Sequence, residues 1–196
     1  MAIACLTEET VHAGDRLARR GYALVDGSEV DLAAAVATFD ALQGNSGQPL
    51  PVAAEHPLVG VLLGQPRVRA LVSEAVGREP LVLRGMTFNQ QRHASWFVPW
   101  HQAPCGADAQ RGLILRWHLD LIGPADGGLR VLPGSHLRGR LGTAALERLA
   151  EETPAVELAV SAGTVVALRP LLVQGARRRT TQGHRRILQV ELAAPR

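Results

Sequence analysis

Four places along this chain concentrate side chains that can do chemistry. Trp96-Phe97-Val98-Pro99-Trp100-His101-Gln102 closes an aromatic run on a histidine. Arg116-Trp117-His118-Leu119-Asp120 has the period of two of a strand, which predicts Arg116, His118 and Asp120 on one face and Trp117 and Leu119 on the other. Leu132-Pro133-Gly134-Ser135-His136 reads as a tight turn. The last place pairs Pro170-Leu171-Leu172-Val173-Gln174 with His184-Arg185-Arg186-Ile187-Leu188-Gln189-Val190. Brought to one mouth, His101, His118, Arg116, Gln174 and Arg185 would combine acid/base candidates, cationic anchors and a neutral amide. Such a set suits proton transfer on a carbonyl or enol substrate, with arginine stabilising the anion.

The elements that must position these residues change character along the chain. Helices are predicted over 7–20 and 28–43, the second with Ser28 as N-cap and Leu32, Val36, Phe39 and Leu42 at helical spacing. Gly21-Tyr22-Ala23-Leu24-Val25 reads as a strand between them. A Gly/Ser/Pro-rich loop follows over 44–55, then one or two helices over 56–77 with a break near Gly64-Gln65-Pro66. From residue 79 short apolar runs alternate with turns, at 80–88, 96–101, 113–121, 129–132, 155–160, 164–169, 171–174 and 186–193. One helix, 143–152, interrupts them. Helices followed by many short strands predict one domain over 1–196, with a mainly helical layer (1–78) on a jelly-roll core (79–196).

PWHQ at 99–102, GGLRVLPGSH at 127–136 and AGTVVALRPLLVQGARRRTTQGHRR at 162–186 resemble the phytanoyl-CoA dioxygenase family of iron(II)/2-oxoglutarate oxygenases. The resemblance covers about residues 80–193. It implies a mostly β protein with N-terminal helices, built on a double-stranded β-helix, a cupin-like jelly roll. It also implies an iron held by H-x-D and a distal histidine, with an arginine eleven residues further on for the far carboxylate of 2-oxoglutarate. His101 matches the first ligand. Ala103 stands at the aspartate position, Gln174 at the distal histidine position, and Arg185 at the arginine position. A lysine common before the WxVPWHQ strand is replaced here by Phe88-Asn89-Gln90, and the loop from His101 to Arg111 is short.

An imidazole and an amide bind Fe(II) far less tightly than two imidazoles and a carboxylate. Alanine at the aspartate position has a precedent among related halogenases, but those keep both histidines. The expectation is therefore a degenerate triad, no metal, and no cofactor, with Fe(II) and 2-oxoglutarate as the alternative. A rearranged site drawing on His101, His118, Asp108 or Asp120 is a further option. The function expected is a metal-independent, redox-neutral isomerase or cyclase in bacterial secondary metabolism. The alternatives are a non-catalytic relative binding a ligand or partner subunit, and an atypical iron oxygenase.

Composition narrows the classes further. All 21 basic residues are arginine, so there is no lysine for a Schiff base or a Walker A motif, and the arginine bias suits a GC-rich bacterial genome. Cys5 and Cys105 form no CxxC pair, and the N-terminus has no basic region ahead of an apolar one. A reducing cytoplasm is expected. The net charge of +3 and the cluster Arg177-Arg178-Arg179 with Arg185-Arg186 are read as a solvated loop plus a buried arginine, not as a nucleic-acid site. A small-molecule substrate, no membrane and a possible homodimer complete the partner expectations.

Plainer readings apply to several residues. His118 is expected to be a hydrogen-bonded core histidine, His136 structural, and His12, His56 and His93 superficial. His184 is expected beside Arg185 at a strand start, Asp120 as an ion-pair partner, and Trp96, Trp100 and Trp117 either as pocket wall or as core.

Overall fold

The computed structural model describes residues 2–4, 13–27, 29–44, 48–91, 97–103, 112–123 and 126–195. Cys5, His12, Ser28, His93, Trp96, Cys105, Asp108 and Arg111 lie outside them, so the expectations placed on these residues are not addressed.

Two sheets carry the site. One has the order β1 (Ala2–Ala4), β8 (Val156–Leu158), β7 (Leu129–Val131), β10 (Gln174–Ala176), β5 (Val98–His101). The other has the order β2 (Tyr22–Val25), β9 (Val165–Leu168), β6 (Leu113–His118), β11 (His184–Ala193), β4 (Leu81–Gln91), β3 (Leu50–Val52). Every pairing is antiparallel except β1 with β8. This is the expected jelly-roll architecture.

Strict alternation on the second sheet separates two environments. Leu113, Leu115 and Trp117 of β6, with Leu188, Val190 and Leu192 of β11, face the helices α1 (Ala13–Arg20), α2 (Leu32–Gln43), α3 (Pro57–Gly64) and α4 (Pro66–Val76). There they pack with Leu17, Phe39, Leu62 and Val72. The opposite face meets the first sheet through Tyr22, Leu24, Ile114, Val131, Leu158 and Val166. Each buried Leu, Ile or Val contributes roughly 1.5–3 kcal/mol. The helical layer therefore holds the central strand β11 through Leu188, Val190 and Leu192.

Local signals explain the helix ends. Asp31 caps α2, accepting from the Ala34 amide at 3.0 Å; the N-cap was expected at Ser28. His56 caps α3 through Nδ1, accepting from the Leu58 amide at 3.2 Å. Pro57 and Pro66 open α3 and α4, which break where Gly64-Gln65-Pro66 predicts. The helix α5 (Thr143–Glu152) has its expected bounds. Two expectations shift. The loop over 44–55 contains β3, and the run at 171–174 begins as a turn, with β10 starting only at Gln174. No helix among the described residues is long and apolar enough to cross a membrane.

Candidate active site

The Leu132–Arg138 segment sets the frame for β10 and β5. Ser135 Oγ accepts from the Val173 amide at 2.8 Å, and the Leu132 amide donates to Val173 O at 2.9 Å. His136 donates from Nε2 to Ala18 O at 3.0 Å, tying the turn to α1 in the structural role expected of it. Gly21 lies beneath this ring with φ +82, and a Cβ there would come within 2.5 Å of the imidazole, so glycine is required. Gln102 is fully used. It donates to Gly139 O and Leu171 O, both at 2.8 Å, and accepts from the Leu141 amide at 2.8 Å. This positioning role was not foreseen, because nothing in WHQ separates Gln102 from a solvent-facing residue.

Sheet register then assembles the pocket. Rows across β4, β11 and β6 align Gln90 with Arg185, Phe88 with Ile187 and His118, and Gln189 with Arg116. The cavity is about 70 Å3, room for roughly five waters at 10–15 Å3 each. Its lining includes His101, Arg116, His118, Arg185, Gln90 and Phe88, and no acidic residue among those described. Four of the five expected site residues meet there. Gln174 is buried and directly opposes His101 across the β10–β5 ladder, but it does not line the cavity. Gln90, expected only as a lost contact, does line it.

The hydrogen bonds define what each group can offer. His101 donates from Nδ1 to Pro99 O at 2.9 Å, and no bond from Nε2 to a described residue is seen, so its lone pair can accept a proton or a metal. Arg116 donates from Nε to Gln189 Oε1 at 2.8 Å, and Gln189 passes the contact on to Glu191 at 2.9 Å. Arg185 donates from Nη1 to Gly127 O. Arg185 Nε, Gln90 Oε1, Gln174 Oε1 and both ring nitrogens of His118 are buried without a partner among the described residues.

Burial and mutual repulsion dominate the electrostatics. Desolvation lowers Arg116 to about 10, against the opposing attraction of Glu191. Desolvation, Arg116 and Arg179 together lower Arg185 to about 10, opposed by Asp126. Desolvation, then Arg185 and Arg116, push His118 down to about 3, so its ring is neutral at physiological pH.

Several expectations need correction. His118 is buried, but its ring nitrogens find no hydrogen-bond partner among the described residues. Asp120 does not share the face of Arg116 and His118, because β6 ends at His118 and the chain bends. Asp120 turns outward to accept from Arg186 Nη1 at 2.8 Å, and Asp40 of α2 accepts from Arg186 Nε at 2.7 Å. Trp117 faces the helices, with its indole N–H on Gly163 O at 3.1 Å. Trp100 stacks under Arg130 at 4.6 Å, so neither is pocket wall. The basic run agrees with its reading as a solvated loop plus buried arginine, with Arg177 and Arg178 exposed. Arg179 is buried and pairs with Asp126 at 3.3 Å, and Arg185 and Arg186 point to opposite faces of β11.

No curated protein matches the chain. Solved structures do. AviO1 from Streptomyces viridochromogenes Tue57 is 22% identical, with TM-score 0.77 and 96% of each chain covered. The alpha-ketoglutarate-dependent epimerase SnoN from nogalamycin biosynthesis is 21% identical, with TM-score 0.78, covering 93% of this chain and 80% of that one. HygX from Streptomyces hygroscopicus, with nickel and 2-oxoglutarate bound, is 17% identical, with TM-score 0.77, covering 94% and 87%. A second HygX structure has iron bound. These occupants overturn the expectation of no cofactor: iron(II) and 2-oxoglutarate are the pair to which the neighbours point.

The residues present meet that pair unequally. Arg185, buried with an unpartnered Nε, suits a carboxylate. For iron there are the free Nε2 of His101 and, opposite it, the orphaned Gln174 Oε1, while Ala103 offers nothing. Among the described residues no three His, Cys, Asp or Glu side chains cluster as a metal site. The set therefore fits 2-oxoglutarate but falls short of a full iron triad. Residues 4–187 match the model of the phytanoyl-CoA dioxygenase (PhyH) family, and the chain belongs to it.

Proposed function

We propose that this chain is a cytoplasmic enzyme of bacterial secondary metabolism that isomerises or cyclises a small anionic molecule by proton transfer. The observation that carries the reading is the cavity itself: a histidine of fixed tautomer and two arginines, with no acidic residue beside them among those described. His101 Nε2 takes a proton from the carbon next to a substrate carbonyl. The C–H bond breaks, an N–H bond forms, and the electron pair moves onto the carbonyl oxygen. The guanidiniums stabilise that oxygen, and His101 returns the proton at another atom.

The test is incubation with a panel of oxo acids in D2O, read by mass spectrometry. Solvent deuterium should enter at the carbon beside the carbonyl, and His101→Ala should abolish it. Absence of exchange with every acid rejects the reading.

A second reading is favoured by the orphaned Gln174 Oε1 facing His101. His101 Nε2 and Gln174 Oε1 would be the metal donors and Arg185 the partner of the far carboxylate of 2-oxoglutarate. Iron(II) with 2-oxoglutarate supplies oxidising chemistry when bound. Anaerobic Fe(II) titration with 2-oxoglutarate, followed by its visible charge-transfer band, separates the two readings.

A further inference from the structure

We propose that His118 is a second catalytic residue, whose ring N–H donates to the carbonyl oxygen of the substrate while His101 works from the facing sheet, so that the proton leaves and returns on one face of the substrate only. The assignment rests on the proton-transfer reading above. It adds a residue to that reaction and a stereochemical outcome.

The two sheets supply different chemistry to the cavity. On the first sheet His101 is the one described lining residue with a polar side chain, among Val98, Leu129, Gly175 and Ala176. The second sheet supplies Gln90, Arg116, His118 and Arg185. Facing sheets lie roughly 10 Å apart, so a small molecule between them touches both. An enolate forms when the breaking C–H bond stands perpendicular to the carbonyl plane. His101 meets that bond from the first sheet. The oxygen, whose lone pairs lie in the carbonyl plane, is left to the donors of β6 and β11.

Among those donors His118 is the one without another task. Arg116 already donates to Gln189, and Arg185 to Gly127 O. His118 stands in the row of Ile187 and Phe88, between the rows of Arg185 and Arg116. Its row neighbours are apolar, and it is 3% exposed. Neither ring nitrogen has a partner among the described residues, although one of them carries a hydrogen in the neutral ring. A buried donor left unpaired is costly, and a ligand oxygen in the cavity would answer it.

The surroundings also decide which role the ring can take. Desolvation and the two guanidiniums keep it neutral. Such a ring is a poor base, so it does not compete with His101 for the proton on carbon. It is still a good donor, and negative charge developing on oxygen strengthens the bond it gives.

The step balances on these two histidines. The C–H electron pair moves into a new C=C bond, and the C=O pair moves onto oxygen. The proton goes to His101 Nε2. His118 keeps its own proton throughout. The return reverses each movement, with His101 giving the proton back to the face from which it came.

The experiment is deuterium exchange of 2-oxobutyrate in D2O, with the full chain and a chelator present, followed by NMR and mass spectrometry. The carbon beside its carbonyl carries a pair of hydrogens. One should exchange, so that incorporation stalls at a single deuterium. Equal exchange of both hydrogens shows a base on each face and overturns the proposal. His118→Leu should slow exchange roughly 100-fold, the effect of removing one donor from a developing oxyanion. His118→Gln keeps an N–H and should recover roughly tenfold of that loss. Unchanged exchange in His118→Leu, or equal rates in the two variants, overturns the proposal and leaves His101 as the base. If His118→Leu fails to fold, the isotope pattern of the wild type decides. Absence of exchange in the wild type rejects the proton-transfer reading and this inference with it.

Discussion

Protonating His118 would add a third positive charge to a cavity that already holds Arg116 and Arg185. Its pKa is pushed from 6.5 down to about 3, by desolvation first and the two arginines next. A folded pKa below the unfolded one means that the unfolded chain binds the proton more readily. Stability from this residue is complete above pH 6.5 and is lost as pH falls toward 3. The ceiling is about 5 kcal/mol, at 1.36 kcal/mol per pKa unit. At pH 5 the unfolded imidazole is almost wholly protonated and the folded one is not, which amounts to a loss of about 2 kcal/mol relative to pH 7.5. Urea unfolding at the two pH values, for wild type and His118→Gln, isolates the effect. The wild type should lose about 2 kcal/mol more than the variant, because His136 and the carboxylates are common to both. Equal losses would refute the assignment of His118 as a buried, neutral, unpaired ring.

Other substitutions probe the site's construction. Ala103→Asp with Gln174→His supplies the missing donors; it should raise Fe(II) affinity at least 100-fold and strengthen the visible band with 2-oxoglutarate, as read by anaerobic titration. Gly127 has φ +67, and a Cβ there would lie 2.4 Å from Arg177 O. Gly127→Ala should cost about 2–4 kcal/mol in chemical denaturation and, by moving the carbonyl that holds Arg185, weaken carboxylate binding in the same protein. Ser135→Ala leaves the Val173 amide buried and unpaired, a loss of about 1–3 kcal/mol by the same assay.

The strands that carry the site were legible where alternation is clean. Arg116 and His118 share a face because Trp117 and Leu115 need the other one. What escaped was decided by long-range contact. β3 contains Pro51 amid turn-forming residues, and it becomes a strand only because it pairs with the edge of β4. Leu171 and Leu172 looked like strand residues, yet they are buried in the turn that delivers Gln174. Asp120 obeyed the period of two until the chain bent after His118, where Arg186 claimed it. The orphaned nitrogens of His118 were invisible for a different reason: a single sequence shows that a histidine is inward, but not whether anything inward answers it.

Strand β11 has a consequence for how this protein can change. Its even-numbered residues Leu188, Val190 and Leu192 hold the helical layer, and its odd-numbered Arg185, Ile187 and Gln189 face the opposite sheet. Substitutions on the odd positions can therefore alter ligand preference with little effect on the packing that keeps the chain folded. Inserting or deleting one residue within the strand would exchange the two sets and destroy both. Diversification of this scaffold, in nature or in a library, should accordingly run through replacements at alternate positions and spare the strand's length.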